Sequence, residues 1–462
     1  MNTRTSDQAR SLGRKLILIG GLAFLLWIPA MLVYLLVYER STRADEVEAE
    51  IYERAGGKQI LSGPILLVPG AIDTGEIDIT GAPIINNVTV AYTPTVLNID
   101  AAVKTAERRR SIYKATIYDA DIVMSGRFAP LSPPRTNEGE LKVFWEKAIL
   151  AIKFNSPGSL KGMRDAPRLS LNGNLVETAF EPGVRGLTIS QDGRMDYSPI
   201  ASGVSTLIPL QNISEGFAFS IDLPISGGGG LYFSPIGETT HAAIQADWPS
   251  PSFQGDYLPD TRDIQKDNFS AQWRIPYLAR DLPRSFLVNE SLANLDRNKR
   301  FGAEFVTTGS PYQSVNRALK YALMFLGIVL LTLFLFEAAT GERAHPAQYI
   351  LLGSAQVIFY VLLLALAEHM TFAAAFALTA GATVILSGLY TATVFHSLLR
   401  GIIAFGAFSG SYALIYLLMK SEDYALLIGS ITAFAALALT MFVTRNLDWY
   451  GVRITSSEAR ST

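Results

Sequence analysis

The chain has four histidines, His241, His345, His369 and His396, and no cysteine, so its options for catalysis and metal binding are few. Without cysteine there is no disulfide framework, thiolate zinc site, iron–sulfur cluster or cysteine nucleophile. His241 stands alone in the long polar half of the chain, inside a strand-like stretch, and reads as a packed or rim residue. A zinc site there would need carboxylates for all its other ligands. Neither a G-x-S-x-G nor an S-x-x-K signature occurs. Asp119/Asp121 and Asp45/Glu46/Glu48 look like solvated faces rather than the paired carboxylates of glycan cleavage. The run Gly227–Gly230 lacks the lysine and Ser/Thr of a phosphate loop and reads as a hairpin or bulge. We therefore assign no catalytic, cofactor-binding or metal-ligating residue, and expect a protein that is not an enzyme.

The remaining chemistry lies beside long apolar segments. Leu16–Tyr38 is 23 residues without a charge, about 34 Å as a helix and enough to cross a hydrocarbon core of about 30 Å. It is longer than a signal-peptide core and no small-residue cleavage site follows, so it reads as an uncleaved anchor. A second apolar block divides into five pieces, near 318–337, 347–367, 371–391, 401–419 and 424–444. An ionisable side chain inside a span costs ~2.5–3.5 kcal/mol to insert, which makes the few that occur candidates for function. Glu337 falls at one end of its segment, His345 opens the next, and Glu368-His369 forms a very short connection. Glu422 and Asp423 occupy a later connection on the same side, and Asp448-Trp449 follows the last segment as an interfacial anchor. Glu368, His369, Glu422 and Asp423 would be the outer mouth of any proton relay; we read them instead as groups that cap helix ends. Gln356 is the main uncharged polar group at depth. Small residues recur every four positions at Ala373, Ala377 and Gly381, and at Gly406 and Gly410, as in close helix-packing faces.

Basic residues set the direction. With Arg4, Arg10, Arg14 and Lys15 in the cytoplasm and six spans, Arg343, Arg400, Arg445, Arg453 and Arg460 also fall inside, and only Lys420 outside. The expected layout is a cytoplasmic tail (1–15), an anchor (16–38), an extracytoplasmic domain (39–317), a five-helix bundle (318–444) and a second cytoplasmic tail (445–462). A net charge of −2 gives no basic face for nucleic acid.

In the outer domain a helix is expected over 41–56, stopped by Gly56-Gly57. Beyond it, segments such as 87–103, 111–128, 148–154, 216–225 and 241–248 alternate or run β-branched and aromatic between short turn clusters. The fold class expected is an α-helical membrane bundle joined to a large all-β, sandwich-like antiparallel domain. Arg108-Arg109-Arg110 reads as a charged turn between two strands.

Certain long segments resemble the CreD family of cell envelope integrity proteins of the Gram-negative inner membrane. They are RALKYALMFLGIVLLTLFLFE (317–337), RAHPAQYILLG (343–353), FYVLLLALAEH (359–369), SEDYALLIGS (421–430) and TRNLDWYG (444–451). In the outer domain WPSPSFQGDYLP (248–259), opened by Trp248, and QILSGPILLVP (59–69) carry the same likeness. The resemblance implies an inner-membrane protein tied to envelope integrity and cell-wall stress, and brings no catalytic residue with it. Trp248, Glu337, His345, Glu368, His369, Glu422, Asp423, Asp448 and Trp449 are the functional or interfacial candidates. The partners expected are the lipid bilayer and an envelope component or envelope protein at the outer domain, with no cofactor. The function expected is a non-enzymatic scaffold or sensor; the alternative is a transporter or flippase-like protein gated by its β domain.

Overall fold

The computed structural model describes residues 3–77, 83–136, 139–189, 195–208, 213–280, 282–288, 299–306, 311–340, 344–420 and 424–445. It divides into two compact units, Met1–Ala44 with Gly309–Thr462, and Asp45–Thr308. The first is helical and the second is mostly strand.

The helical unit follows the apolar segments, with two differences from expectation. The anchor and the helix expected over 41–56 are one helix, α1 (Thr3–Arg54). Residues 39–43 contain no glycine or proline to break it, and it stops only where Gly56 and Gly57 adopt positive φ (105° and 74°). The segment expected as one span from 318 instead begins at α2 (Pro311–Lys320) and bends by 54° into α3 (Ala322–Thr340). The two halves seek different surroundings: α2 is amphipathic, burying Tyr312, Val315, Ala318 and Leu319, whereas α3 is apolar nearly throughout. Then come α4 (Pro346–Ala367), α5 (Phe372–Val394), α6 (Leu398–Lys420) and α7 (Ala425–Thr444). Among the described residues four helices are long and apolar enough to cross a membrane, or five if the bent pair is one span; the apolar part of α7, Leu426–Phe442, is shorter.

The small-residue faces are not where the helices of this chain meet. Ala373, Ala377, Gly406 and Gly410 are exposed, and a Cβ added at Gly381, Gly406 or Gly410 would find open space. The close approaches lie elsewhere: a Cβ on Gly401 would sit 2.5 Å from the Ala392 Cβ, and one on Gly353 2.3 Å from Leu26 Cδ1. Spacing alone marks a small face without saying what covers it.

In the second unit the described strands form two sheets. One sheet runs Thr261–Ile264, Phe269–Ile275, Thr239–Ala246, Val96–Arg110, Tyr113–Phe128, Phe217–Gly228, Arg168–Leu171, Asn174–Val176. The other runs Pro251–Gly255, Phe301–Phe305, Gly230–Phe233, Gln59–Ile77, Ile149–Phe154, Met195–Leu207, Glu181–Ile189, with Pro83–Tyr92 and Glu140–Val143 also paired to Gln59–Ile77 and Ser285–Leu287 paired to Pro83–Tyr92. Alternate residues of Phe217–Ile225 and Phe269–Ile275 point into one contiguous core, as the period-two pattern requires. Ile149–Phe154, an inner strand of its sheet, is buried at every position.

The sheets are mixed rather than purely antiparallel. Gln59–Leu61 runs parallel to Leu231–Phe233, and Val96–Val103 parallel to Thr239–Ala246. Each pair is separated by a crossover of well over a hundred residues, the route that parallel neighbours need. The stretch 87–103 also divides: Pro83–Tyr92 joins one sheet and Val96–Arg110 the other, broken at Pro94. Arg108-Arg109-Arg110 ends a strand at a hairpin tip, where Ser111 has φ 58°.

Gly227–Gly230 is a change of sheet. The strand Phe217–Gly228 ends, Gly229 takes φ 76°, and Gly230–Phe233 continues in the other sheet. Tyr52, in the last turn of α1, lies against this run: a Cβ on Gly228 would meet its ring at 2.2 Å. Glycine there makes room for the tyrosine. Beside it the buried Gln59 amide donates to the carbonyls of Gly56, Ser159 and Ser226 at 3.0–3.1 Å.

Candidate functional site in the helical unit

The face of α4 that turns inward carries Tyr349, Gln356 and Tyr360, and its C-cap is Glu368. The intervals of seven and four residues put the first three on one side of a helix. Tyr349, Gln356 and Glu368 each meet a polar group from another helix.

At the C-terminal end, Glu368 accepts a hydrogen bond from the Tyr312 hydroxyl of α2 at 3.2 Å. It also faces the Arg40 guanidinium of α1 at 3.7 Å, with only 12% of its side chain exposed. Its own N–H closes the helix on Leu364 O. Glu368 thus occupies the C-cap position through its backbone, while its side chain joins three helices. His369 is exposed in the following turn, and among the described residues its side chain has no polar partner.

At mid-helix Gln356 is fully engaged. Its Oε1 accepts from Tyr412 of α6 at 2.7 Å, and its amide donates to Leu352 O and the Ser387 hydroxyl of α5. Tyr412 packs edge-on against Phe325 and Phe359. Below and above Ser387, Thr379, Thr383 and Thr391 form a buried stripe at intervals of four, their hydroxyls donating to carbonyls of their own helix. Tyr360 differs: its hydroxyl is buried without a hydrogen-bond partner among the described residues. It borders a recess of about 10 Å³ with Trp27, Ala30, Leu326 and Val357, apolar-walled and of a size for about one water.

At the N-terminal end Glu337 of α3, buried, accepts from the Tyr349 hydroxyl at 3.0 Å. His345 is the N-cap of α4: its Nδ1 accepts from Ala347 N at 3.2 Å, and Gln348 Oε1 accepts from its own N–H at 2.9 Å. That is a reciprocal cap with Pro346 at the first helical position.

In the strand unit Trp248 packs half-buried against the core, and its indole N–H has no acceptor among the described residues. The rest of its motif is structural: Tyr257 donates to Ala279 O at 2.7 Å and accepts on its own carbonyl from the Trp273 indole at 3.1 Å. His241 sits half-exposed in the strand Thr239–Ala246. Among the described residues no three His, Cys, Asp or Glu side chains are grouped to hold a metal. Glu422, Asp423, Asp448 and Trp449 lie outside the described residues.

Sequence reasoning thus reached Glu337, His345, Gln356 and Glu368 but missed their partners Tyr349, Ser387, Tyr412, Tyr312 and Arg40. The fourfold spacing of Thr379, Thr383, Ser387 and Thr391 in an apolar helix was a readable signal of a buried hydroxyl seam.

A family model described as "Inner membrane protein CreD" matches residues 11–450. The chain belongs to the CreD family. The CreD protein of Escherichia coli (strain K12) is 29% identical to it over 445 residues, covering 95% of this chain and 94% of that one. With its apolar helices, this CreD-family chain is an inner-membrane, multi-pass protein. Among solved structures, a substrate-bound mutant of an M1 zinc metallopeptidase from Deinococcus radiodurans aligns with 77% of this chain and 91% of that one. At 10% identity and a TM-score of 0.18 that likeness bears on neither the fold nor the chemistry of the CreD family.

Proposed function

We propose that the chain is a non-enzymatic scaffold or sensor of cell envelope integrity, with six spans, both termini in the cytoplasm and the β unit in the periplasm. The β unit would bind an envelope component or a partner protein. The observation that carries this reading is how the polar side chains of the bundle are used. Glu368, Gln356 and Glu337 are each engaged by a tyrosine hydroxyl from another helix. The threonines of α5 are engaged by their own helix. Groups so committed brace helices against one another. The basic residues bordering the spans support the direction. Reporter fusions after residues 10, 343, 396 and 455 should report cytoplasm, and fusions after 150 and 369 periplasm. Photo-crosslinking from the β unit in intact cells should then recover a discrete envelope partner.

One observation favours the transporter reading: the hydroxyl seam of α5 meets α4 at Gln356, one turn from Tyr360, whose own hydroxyl is unpartnered among the described residues. Thr379→Val with Thr383→Val separates the two. A scaffold keeps normal abundance and envelope-stress tolerance, whereas normal abundance with lost tolerance would support transport and overturn our reading.

A further inference from the structure

The chain leaves the helical unit within α1, between Ala44 and Asp45, and re-enters it just before α2, so the later part of α1 and α2 are its two connecting segments. Both are tied to the same carboxylate. Arg40 lies two residues past the apolar run of α1, and Tyr312 is in the first turn of α2; both meet Glu368 at the end of α4. We propose that Glu368 is a clasp that holds the two connecting segments to the bundle together, so that a change reaching either one is felt by the other and by α4.

The two arms differ in strength. Tyr312 is buried, so its 3.2 Å hydrogen bond to a Glu368 carboxyl oxygen is shielded from water. Arg40 is nearly half exposed and 3.7 Å away, so its ion pair is weak and screened by salt. A device of this kind has one firm arm and one easily released arm, and α2 adds a natural place to move, since it meets α3 at a 54° bend. The tyrosine hydroxyls at Gln356 and Glu337 come from α6 and α4. At Glu368 both connecting segments and α4 share one carboxyl group. The inference rests on the sensor reading only for its purpose in the cell; the clasp itself is measurable on the isolated protein.

The experiment is amide hydrogen exchange on the full chain in lipid nanodiscs. Glu368→Ala should speed exchange in 38–44 and in 311–320 together, by about tenfold in 311–320 and a few-fold in 38–44. The strands 96–110 and 113–128 should be unchanged. Glu368→Gln keeps an acceptor for Tyr312 and loses the charge, so it should loosen 38–44 first, with a smaller effect in 311–320. Tyr312→Phe should loosen 311–320 first, with a smaller effect at 38–44. Raising salt should reproduce the Glu368→Gln pattern in the natural protein. If Glu368→Ala leaves either segment as protected as before, the clasp is refuted. If that variant fails to insert, Glu368→Gln and Tyr312→Phe decide: identical exchange patterns, or none, would overturn the proposal. None of these outcomes depends on the envelope phenotype, so the clasp and the sensor reading can fail separately.

Discussion

Gly228 and Tyr52 offer a close test of how the sheet accepts the end of α1. Gly228 has no positive φ, so alanine there raises no backbone objection and the effect is steric alone. Its Cβ would lie 2.2 Å from Tyr52 Cδ1, 2.8 Å from Cγ and 3.0 Å from Cα, and the last is backbone that cannot swing aside. Overpacking of this kind costs ~1–3 kcal/mol. Tyr52→Ala acts differently. A tyrosine buries up to ~200 Å², and half-buried here it covers about half of that, so at ~25 cal/mol per Å² its loss costs ~2.5 kcal/mol. In the double variant the ring contacts are gone and only the 3.0 Å approach to the backbone Cα remains. Adding Gly228→Ala to Tyr52→Ala should therefore cost less than Gly228→Ala costs alone, and the double should fall short of the sum. The assay is equilibrium unfolding of the full chain followed by exchange protection in Phe217–Gly228. Simple additivity of the two single effects would refute the claim that this glycine exists to seat Tyr52.

Two further outcomes are expected. In the bundle, Gln356→Leu removes the acceptor of the Tyr412 hydroxyl and should cost ~1–2 kcal/mol in mixed-micelle unfolding, whereas Tyr360→Phe removes a hydroxyl that has no partner among the described residues and should be neutral or slightly stabilising; a Tyr360→Phe loss as large as that of Gln356→Leu would mean that the Tyr360 hydroxyl is bonded. In the strand unit, burial pushes the hydroxyls of Tyr118, Tyr92 and Tyr232 well above the usual tyrosine value of about 10. Folded, they keep their protons while the unfolded chain loses them, so stability is full below pH ~10 and falls as pH rises beyond it. Tyrosine absorbance should show these groups ionising together with unfolding; free titration near pH 10 in the folded protein would contradict their burial.

The split into apolar helices and a β-rich region was legible in the residues because each rests on local quantities. Charge-free length determines which segments can lie in a bilayer, and period two determines which can form a half-buried strand. The stop of α1 at Gly56-Gly57 was legible for the same reason: positive φ is a property of one residue. Strand direction was not, since Val96–Val103 alternates identically whether its neighbour is parallel or antiparallel, and only the path of the whole chain decides. Gly381, Gly406 and Gly410 have the spacing of a packing face, yet it is Gly353, Gly388 and Gly401 that meet neighbours, because contact depends on how each helix is rotated in the bundle. The candidate site divides along the same line. Glu368, Gln356 and Glu337 stood out as polar residues that the membrane would penalise, which composition alone reveals. Their partners did not, since Tyr312 lies 56 residues from Glu368 and Tyr412 lies 56 from Gln356. A tyrosine in an apolar helix gives no sign of which carboxylate or amide its hydroxyl will find. That choice belongs to the packed bundle, where an unpaired buried polar group costs more than any local preference can offset.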